Sequence, residues 1–195
     1  MQLPDGPFDL IAADPPWRFK VWSRATGLRK AADNHYATMT LDDVKRLPVA
    51  SVAAPDCLLW LWCTAPMLRH GFEVLDAWGF KYSTMGVWAK RTKKMHWQFG
   101  TGFRLRSTCE PFLIGTRGSP RSTRATRNLI EAKVREHSRK PNEAYAACEA
   151  MMPGARKLDM FSREERPGWT TWGNETGKFR HEASAGEGAR ASVLG

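Results

Sequence analysis

An apolar run of six residues, from Phe8 to Ala13, ends at an aspartate that is followed by two consecutive prolines. A run this short and this uniformly apolar is typical of a strand buried on both faces, as in the middle of a parallel sheet. Proline has no backbone N–H to give to a sheet ladder, so the strand ends there. The sequence therefore predicts a polar corner, Asp14-Pro15-Pro16-Trp17, at the carboxyl end of a central strand.

Strand-like and helical segments alternate along the rest of the chain. Further strands are predicted at residues 57–62, 80–90, 108–116, 128–134, 156–161 and 169–172. This alternation predicts an α/β fold, with a mostly parallel sheet and helices on both faces. Ligands of such sheets bind beyond the carboxyl ends of the strands. The loops after Ala13, Lys90 and Phe161 are therefore the expected place for a site.

Three helices are predicted between these strands. The first is opened by Thr40 and Asp43, which have the spacing of a capping box, and runs through Leu47. The second runs from Pro66 to Trp78, with Leu68, Phe72 and Leu75 on one buried face. The third starts at Pro141 as its first helical residue.

Length and composition favour one folded domain. The chain has 195 residues, of which 42% are hydrophobic and nine are tryptophan, so it has enough apolar surface to form a core. We expect a single domain over residues 1–177. Residues 178–195 are small and polar, and we expect them to form a disordered tail.

The charge balance is strongly basic, with a formal net charge of +10. Such an excess favours either solubility or a polyanionic partner such as nucleic acid. The four cysteines form no C-x-x-C pair and the five histidines are scattered, so free thiols and no metal site are expected. The sequence begins with no recognisable signal peptide and has no apolar run of about 18 residues, so a cytoplasmic protein without a membrane span is expected.

The corner at Asp14 has the groups that methylation of an adenine amine requires. The exocyclic amine is a poor nucleophile, and an enzyme must hold both of its N–H bonds so that the lone pair faces the methyl donor. The carboxylate of Asp14 can accept one of these hydrogen bonds and the carbonyl of Pro15 the other, while Trp17 offers a ring for base stacking. The alternative is an ordinary turn in which Asp14 caps the backbone.

The ordered segments of the chain resemble one family of enzymes. FDLIAADPPW, HYATMTLDDVKRLPV, LLWLWCT, GFEVLDAWGFKY, VWAKR, CEPFLIGTRG, SRKPNEAY, PGARKLDMFSRE and GWTTWGNE are similar, in this order, to segments of the adenine-N6 methyltransferases. That family is typified by the catalytic subunit of the eukaryotic messenger-RNA adenosine methyltransferase, and it includes small bacterial and phage members. The resemblance implies a Rossmann-like fold with permuted motif order, in which the catalytic strand comes first, and S-adenosylmethionine as the cofactor.

The resemblance also implies roles for individual residues. Asp14, Pro15, Pro16 and Trp17 would form the amine pocket, Tyr36 would border the adenine, and Glu110 would line the pocket. The implied cofactor-binding residues are Asp14, Lys140, Arg163, Asn174 and Glu175. From the residues alone, Glu175 beyond a strand end suits a ribose diol, with a surface acid as the alternative. Lys140 could equally be a solvated lysine, and Tyr36 could be a packing residue. Arg163 could belong to a surface charge cluster. Phe161-Ser162-Arg163 stands where a Gly-x-Gly loop is usual, so only the resemblance supports a cofactor site there.

A basic, aromatic loop between Arg91 and Ser107 is the expected nucleic-acid surface. It pairs phosphate-binding side chains with stacking rings, among them Trp97, Arg104 and Arg106. A solvated basic loop is the alternative. DNA is favoured over RNA as substrate because the small single-domain members resemble bacterial or phage DNA enzymes. An inactive nucleic-acid-binding scaffold and methylation of another amine stay open, as does a homodimer or a partner subunit.

Overall fold

A computed structural model describes residues 2–18, 38–102, 104–136 and 139–179. Seven strands form one sheet in the order β5-β3-β4-β2-β1-β6-β7. The strands are β1 (Phe8–Ala13), β2 (Ala53–Trp62), β3 (Lys81–Arg91), β4 (Cys109–Arg117), β5 (Leu129–Lys133), β6 (Lys157–Met160) and β7 (Trp169–Trp172). The helices are α1 (Leu41–Lys45), α2 (Leu68–Ala77) and α3 (Asn142–Met151), with short 3₁₀ turns at Val49–Ser51 and Ala65–Met67.

The first strand in the sequence lies inside the sheet, next to strands that come late in the chain. β1 is parallel to β2 on one side and to β6 on the other, and β6 is parallel to β7. β3 and β5 are also parallel, whereas β4 runs antiparallel between β2 and β3. Most neighbours are thus parallel, and the predicted α/β fold with permuted strand order is confirmed.

Alternation along β1 divides the core between the two faces of the sheet, since successive side chains of a strand point to opposite sides. Ile11 and Ala13 belong to the core that also contains Val44 of α1 and Val74 of α2. Leu10 and Ala12 belong to the second core, which includes Ala144 and Cys148 of α3. Helices therefore cover both faces, as predicted.

Three local predictions were wrong. β2 begins at Ala53, four residues before the predicted start. Pro55 and Asp56 are exposed and lie where the register with β1 shifts, so the strand can include them without regular ladder hydrogen bonds at that point. Phe72 is 38% exposed and packs on Tyr82 instead of joining the core face of α2. Pro141 is the N-cap of α3, not its first helical residue.

Other predictions are confirmed. The Thr40 hydroxyl oxygen accepts a hydrogen bond from Asp43 N at 3.2 Å, which is the capping interaction predicted for α1. All four cysteines are free. Residues 178 and 179 of the expected tail are described, and Phe179 N donates to Arg163 O at 2.9 Å; residues 180–195 lie outside the described part, and the disordered tail stays a prediction. Across the described residues, no helix combines the length and apolar character that a membrane span requires.

Candidate active site

A chain of alternating charges lies at the carboxyl ends of β1 and β2. The ammonium nitrogen of Lys140 lies 2.7 Å from Asp14 Oδ2 and 2.8 Å from Glu110 Oε1. The other carboxylate oxygen of Glu110 lies 2.6 Å from Lys90 Nζ. The Lys140 side chain is only 7% exposed, whereas that of Asp14 keeps 25% of its accessible surface. Of the two acids in this chain of charges, Asp14 is therefore the one that a ligand can reach more easily.

Strand alternation explains why these side chains meet. Asp14 continues the even-numbered series of Leu10 and Ala12, whose side chains lie on the face covered by α3. Trp88 pairs in register with Glu110, and Lys90 follows two residues later on the same face. Lys140 reaches this face from the segment just before α3. Lys90 was not predicted from the sequence as a site residue. Its position two residues after Trp88, on the same face of β3, could have indicated it.

Two aromatic rings lie beneath the lysines. Lys140 Nζ lies 5.3 Å from the ring centroid of Trp62, and Lys90 Nζ lies 4.7 Å from that of Trp88. Both tryptophans are 3% exposed. A cation over a buried indole is stabilised by the ring quadrupole, so these rings help to keep both ammonium groups charged where little water can reach them.

The electrostatics of the charge chain differ between its two acids. Burial by itself raises the pKa of Glu110, but Lys140 and Lys90 lower it to about 2. Burial and the nearby Glu110 raise the pKa of Asp14 above its ordinary value, although Lys140 acts in the opposite direction. Burial would lower the pKa of Lys140, but Asp14 and Glu110 hold it above the ordinary lysine value. Lys140 is thus a fixed positive charge, and the solvated-lysine alternative is wrong.

Trp17 does not offer a free ring in this structure. It is 4% exposed and belongs to the core that contains Ile11, and its indole N–H donates to Trp62 O at 3.0 Å. The expectation that Trp17 presents an open stacking face is therefore wrong, because its only polar atom is already bonded and its ring is packed. Its contact with β2 fixes the path of the chain after the prolines.

The two prolines shape the corner as expected from their restricted backbone. Trp17 N donates to Pro15 O at 2.7 Å, the hydrogen bond of a three-residue turn with Pro16 at its centre, and Met39 N donates to Pro16 O at 3.0 Å. A carbonyl oxygen has two lone pairs, so Pro15 O retains the capacity to accept a second hydrogen bond.

A second group of polar residues follows β6. Phe161 adopts a φ of 64°, the left-handed conformation in which glycine is the usual residue. Its ring packs edge-on against Trp172 at 5.2 Å, and Ser162 N donates to Trp172 O at 3.1 Å. The turn therefore has the backbone geometry that glycine usually adopts, although the residue at this position is a phenylalanine.

Arg163 and Glu175 meet at this turn. Arg163 Nε lies 2.8 Å from Glu175 Oε2, and Lys178 Nζ lies 2.6 Å from Glu175 Oε1. Although its partial burial acts the other way, Lys178 and Arg163 keep the pKa of Glu175 below its ordinary value. Asn174 is exposed beside it. Arg163 and Glu175 are thus a specific pair in a turn, not members of a loose surface cluster.

The residues that separate the two groups are buried and paired. Glu164 is 5% exposed and lies 2.8 Å from Arg139 Nε and 3.3 Å from Arg135 Nη1. Tyr145 of α3 donates its hydroxyl to Asp159 Oδ2 at 2.9 Å. Burial raises the pKa of Asp159 to about 7, against the hydrogen bonds from Ser162 and Tyr145.

The chemistry of the donors and acceptors in these two groups fits S-adenosylmethionine. Asp14 presents a partly exposed carboxylate for an ammonium or amine, and Glu175 presents one, 30% exposed, that can accept hydrogen bonds from a ribose diol. Lys140 and Arg163, which pair with Glu110 and Glu175 respectively, would supply positive charge for the carboxylate of the cofactor. Bound there, the cofactor would supply an electrophilic methyl group on sulfur.

The structure describes part of the predicted nucleic-acid loop. Trp97 is 54% exposed, and the Arg91 guanidinium carbon lies 3.1 Å from its ring centroid. Arg106 lies over the Phe99 ring at 4.4 Å and donates Nε to Gly100 O at 2.6 Å, while Arg104 is exposed. Arginines therefore already stack on both rings. Tyr36 lies outside the described residues.

Comparison with known proteins identifies the family. The MT-A70 family model matches residues 8–175. The chain is 35% identical over 180 residues to "N(6)-adenosine-methyltransferase MT-A70-like" of Arabidopsis thaliana, covering 90% of this chain and 24% of that protein. It is 30% identical over 192 residues to "Type II methyltransferase M.MunI" of Mycoplasma sp, covering 89% of this chain and 80% of that protein.

A human relative shows the same pattern as the plant one. "N(6)-adenosine-methyltransferase catalytic subunit METTL3" of Homo sapiens is 31% identical over 176 residues, covering 87% of this chain and 28% of that protein. The chain thus spans about a quarter of the length of these two relatives but most of the bacterial one. Since the family model extends from the start of β1 past the end of β7, nearly the whole described fold is matched, and the chain belongs to the MT-A70 family.

Proposed function

We propose that this protein transfers a methyl group from S-adenosylmethionine to the N6 amine of adenine in nucleic acid. The observation that carries the proposal is the Asp14 carboxylate, held at the carboxyl end of β1 by a buried lysine that it shares with Glu110. Membership of the MT-A70 family and similarity to proteins named as methyltransferases support the proposal.

The corner can hold an amino group in the orientation that methylation needs. Asp14 accepts one N–H of the amine and Pro15 O accepts the other, so the nitrogen lone pair is directed away from both. With the cofactor bound, the nitrogen would form a bond to its methyl carbon as the carbon–sulfur bond breaks, leaving a neutral thioether. The amine would then carry a positive charge until it loses a proton to water. The negative charge of Asp14 stabilises that positive charge while it develops.

The residues around the corner have complementary roles in this proposal. Glu110 and Lys140 border the base and the cofactor, and Arg163, Asn174 and Glu175 hold the cofactor. Trp17 positions the corner through Trp62 O and does not stack on the base. Trp97, Arg104 and Arg106 contact the nucleic acid, and Tyr36 stays a prediction for the adenine pocket.

DNA is the favoured substrate in this proposal. The relative of which the chain covers 80% is a type II methyltransferase, whereas the adenosine methyltransferases from plant and human are matched over about a quarter of their length. RNA is the second candidate, because those relatives are named for adenosine. The base must leave its stack before its amine reaches Asp14, so unpaired adenine is the easier substrate. A cytoplasmic location stays a prediction.

The decisive experiment uses purified protein, labelled S-adenosylmethionine and four matched oligonucleotides: single-stranded and duplex DNA and RNA. Nucleoside mass spectrometry should find N6-methyladenine, with DNA labelled faster than RNA. Asp14→Asn should lower kcat at least 100-fold, on the order expected for a lost electrostatic contact in the transition state, while Asp76→Asn on α2 serves as the control. Cofactor binding without methylation of any oligonucleotide would favour the inactive scaffold.

A second subunit is also part of the proposal. The human relative is named a catalytic subunit, and four large apolar side chains of the loop between β3 and β4 are exposed: Met95, Trp97, Phe99 and Leu105. Light scattering with and without oligonucleotide distinguishes a monomer from a homodimer.

A further inference from the structure

An arginine loop, residues 118–127, starts at the end of the sheet opposite Asp14. It connects β4 to β5, and β4 runs antiparallel to β2, so β4 ends where β2 begins. Arg117, the last residue of β4, pairs in register with Cys57, whereas Asp14 follows the carboxyl end of β1. The first part of the loop, with Arg121, is thus separated from the candidate active site by the length of the central strands, whereas its last residues return to Asn128, whose carbonyl accepts a hydrogen bond from Val87 N.

The arginine loop carries positive charge without an acidic counterpart in its own sequence. Arg121, Arg124 and Arg127 occur within seven residues, and no Asp or Glu occurs between Glu110 and Glu131. All three arginines are exposed. Within the described ranges of the chain, none of the three forms an ion pair or a hydrogen bond, in contrast to Arg117 and Arg156, which bond to backbone carbonyls.

The backbone of this loop is fixed by contacts to the rest of the fold. Ser119 N donates to Asp56 Oδ1 at 2.6 Å. Thr123 donates its N–H to Met151 O at 2.8 Å and its hydroxyl to Ala150 O at 2.6 Å, and Thr126 donates its hydroxyl to Ala147 O at 3.1 Å. Binding to a loop that is already ordered costs less conformational entropy than binding to a free one.

An open cleft runs beside the loop. Its volume is about 620 Å³, and Arg121, Ser122 and Thr123 line it together with Pro153 and Gly154 on the other side. Asp9 and Asp56 also line it, and each accepts a backbone N–H, from Arg156 and Ser119 respectively. Arg121 is therefore the charged side chain at this cleft that still lacks a partner among the described residues.

We propose that the arginine loop binds the phosphate backbone of the nucleic-acid substrate, as a second contact surface away from the candidate active site. This inference rests on the proposed function. Arginine guanidinium groups are well matched to phosphate oxygens, and an unpaired, exposed set of three on an ordered loop is suited to a polyanion. The net charge of +10 gives the same partner a favourable long-range field.

The geometry predicts a dependence on the length of the nucleic acid. The six residues from Cys57 to Trp62 alone span roughly 20 Å at about 3.3 Å per residue. Duplex DNA rises about 3.4 Å per base pair, so roughly six pairs cover that distance. An oligonucleotide of three nucleotides bound at Asp14 covers only about half of that distance and should not reach Arg121 or Arg124, whereas a duplex of 24 base pairs should.

The test measures binding of labelled 3-nucleotide and 24-base-pair oligonucleotides by fluorescence anisotropy at several salt concentrations. Arg121→Gln with Arg124→Gln should weaken binding of the long duplex about tenfold at low salt and reduce the slope of log K against log salt by about 2. Binding of the short oligonucleotide should not change. Arg121→Lys with Arg124→Lys should keep most of the slope, because the charge is retained. Lys45→Gln with Arg46→Gln on α1 removes the same charge elsewhere and should have little effect.

The outcomes separate this inference from the proposed function. If the wild-type protein methylates adenine but the Arg121/Arg124 glutamine variant binds the long duplex like the wild type, the arginine loop is not a contact surface and the proposed function stands. An equal loss with the short oligonucleotide, or with the α1 variant, also overturns the inference. If the wild type neither binds nor methylates nucleic acid, both fail. Binding to vesicles with anionic lipid that depends on the same arginines, without their effect on DNA, would assign the loop to a membrane surface instead.

Discussion

The ammonium nitrogen of Lys140 lies 2.7 Å from Oδ2 of Asp14, and the Lys140 side chain is almost completely buried. This contact ties the segment before α3 to the carboxyl end of β1, 126 residues earlier in the chain. It also sets the charge of the corner, because a buried lysine that faces two carboxylates stays protonated and keeps at least one of them ionised.

We expect Lys140→Met to lower the free energy of unfolding by about 3–5 kcal/mol at pH 7, because Asp14 and Glu110 would then be buried with too little positive charge. The loss should be smaller at pH 4, where carboxyl groups with a raised pKa bind protons and no longer need the lysine. Urea unfolding at both pH values measures the difference. Lys90→Met, which removes a less buried partner of Glu110 alone, is the control. Equal losses for both variants at both pH values would contradict the role of Lys140.

The charge chain also predicts an acid limit of stability. Lys140 and Lys90 hold the pKa of Glu110 at about 2, below its ordinary value of 4.5. An acid with a lowered pKa stabilises the fold above the unfolded value and loses that contribution as the pH falls through the folded value. The wild-type protein should therefore lose stability between about pH 4.5 and 2, and Glu110→Gln should lose less over that range. Thermal denaturation at several pH values provides the comparison.

For Asp159 we expect the opposite effect of pH on the free energy of unfolding. Burial raises its pKa to about 7 from an ordinary value of 3.8, so between these values the folded protein holds a proton that the unfolded chain has lost. That difference makes its contribution to stability fall as the pH rises from about 4 to 7. Asp159→Asn should flatten this part of the stability profile, whereas Asp76→Asn on the exposed side of α2 should not. A variant profile parallel to that of the wild type would show that Asp159 is already ionised in the fold.

The backbone of Phe161 makes a different kind of prediction. A residue with a φ of 64° is strained unless it is glycine, and a β-branched side chain is strained most. The free energy of unfolding should therefore be about 1–2 kcal/mol lower for Phe161→Val than for Phe161→Gly. This order is expected although glycine loses more of the packing against Trp172. Urea unfolding of the two variants tests the order. If valine is better tolerated, packing and not backbone conformation controls this turn.

Trp17→Phe should lower the free energy of unfolding by about 1–3 kcal/mol. The substitution keeps an aromatic ring in the core but leaves the carbonyl of Trp62 without its hydrogen bond. Trp172→Phe is the matched control, since its indole N–H donates to Gln2 O at the surface and water can replace it. Thermal melting compares the two variants, and losses of equal size would remove the special role of the Trp17 contact.

Local sequence determined most of the secondary structure and the position of the corner. The apolar run before Asp14 and the two prolines after it specify a buried strand with an abrupt end, because both signals act within a few residues. The cap at Thr40 follows from hydrogen bonds three residues apart for the same reason. The family resemblance added Glu110 and Lys140, and the structure brings both to Asp14.

Only the tertiary structure decided which side chains remain available to a ligand. Trp17 was expected to offer its ring, but packing beside β2 buries it; Lys90 was not expected, but the pairing of β3 with β4 brings it to Glu110. The left-handed turn at Phe161 also depends on its contact with Trp172 in the neighbouring strand. Burial and charge pairing depend on residues far apart in the chain, and their positions are fixed only when the sheet has assembled.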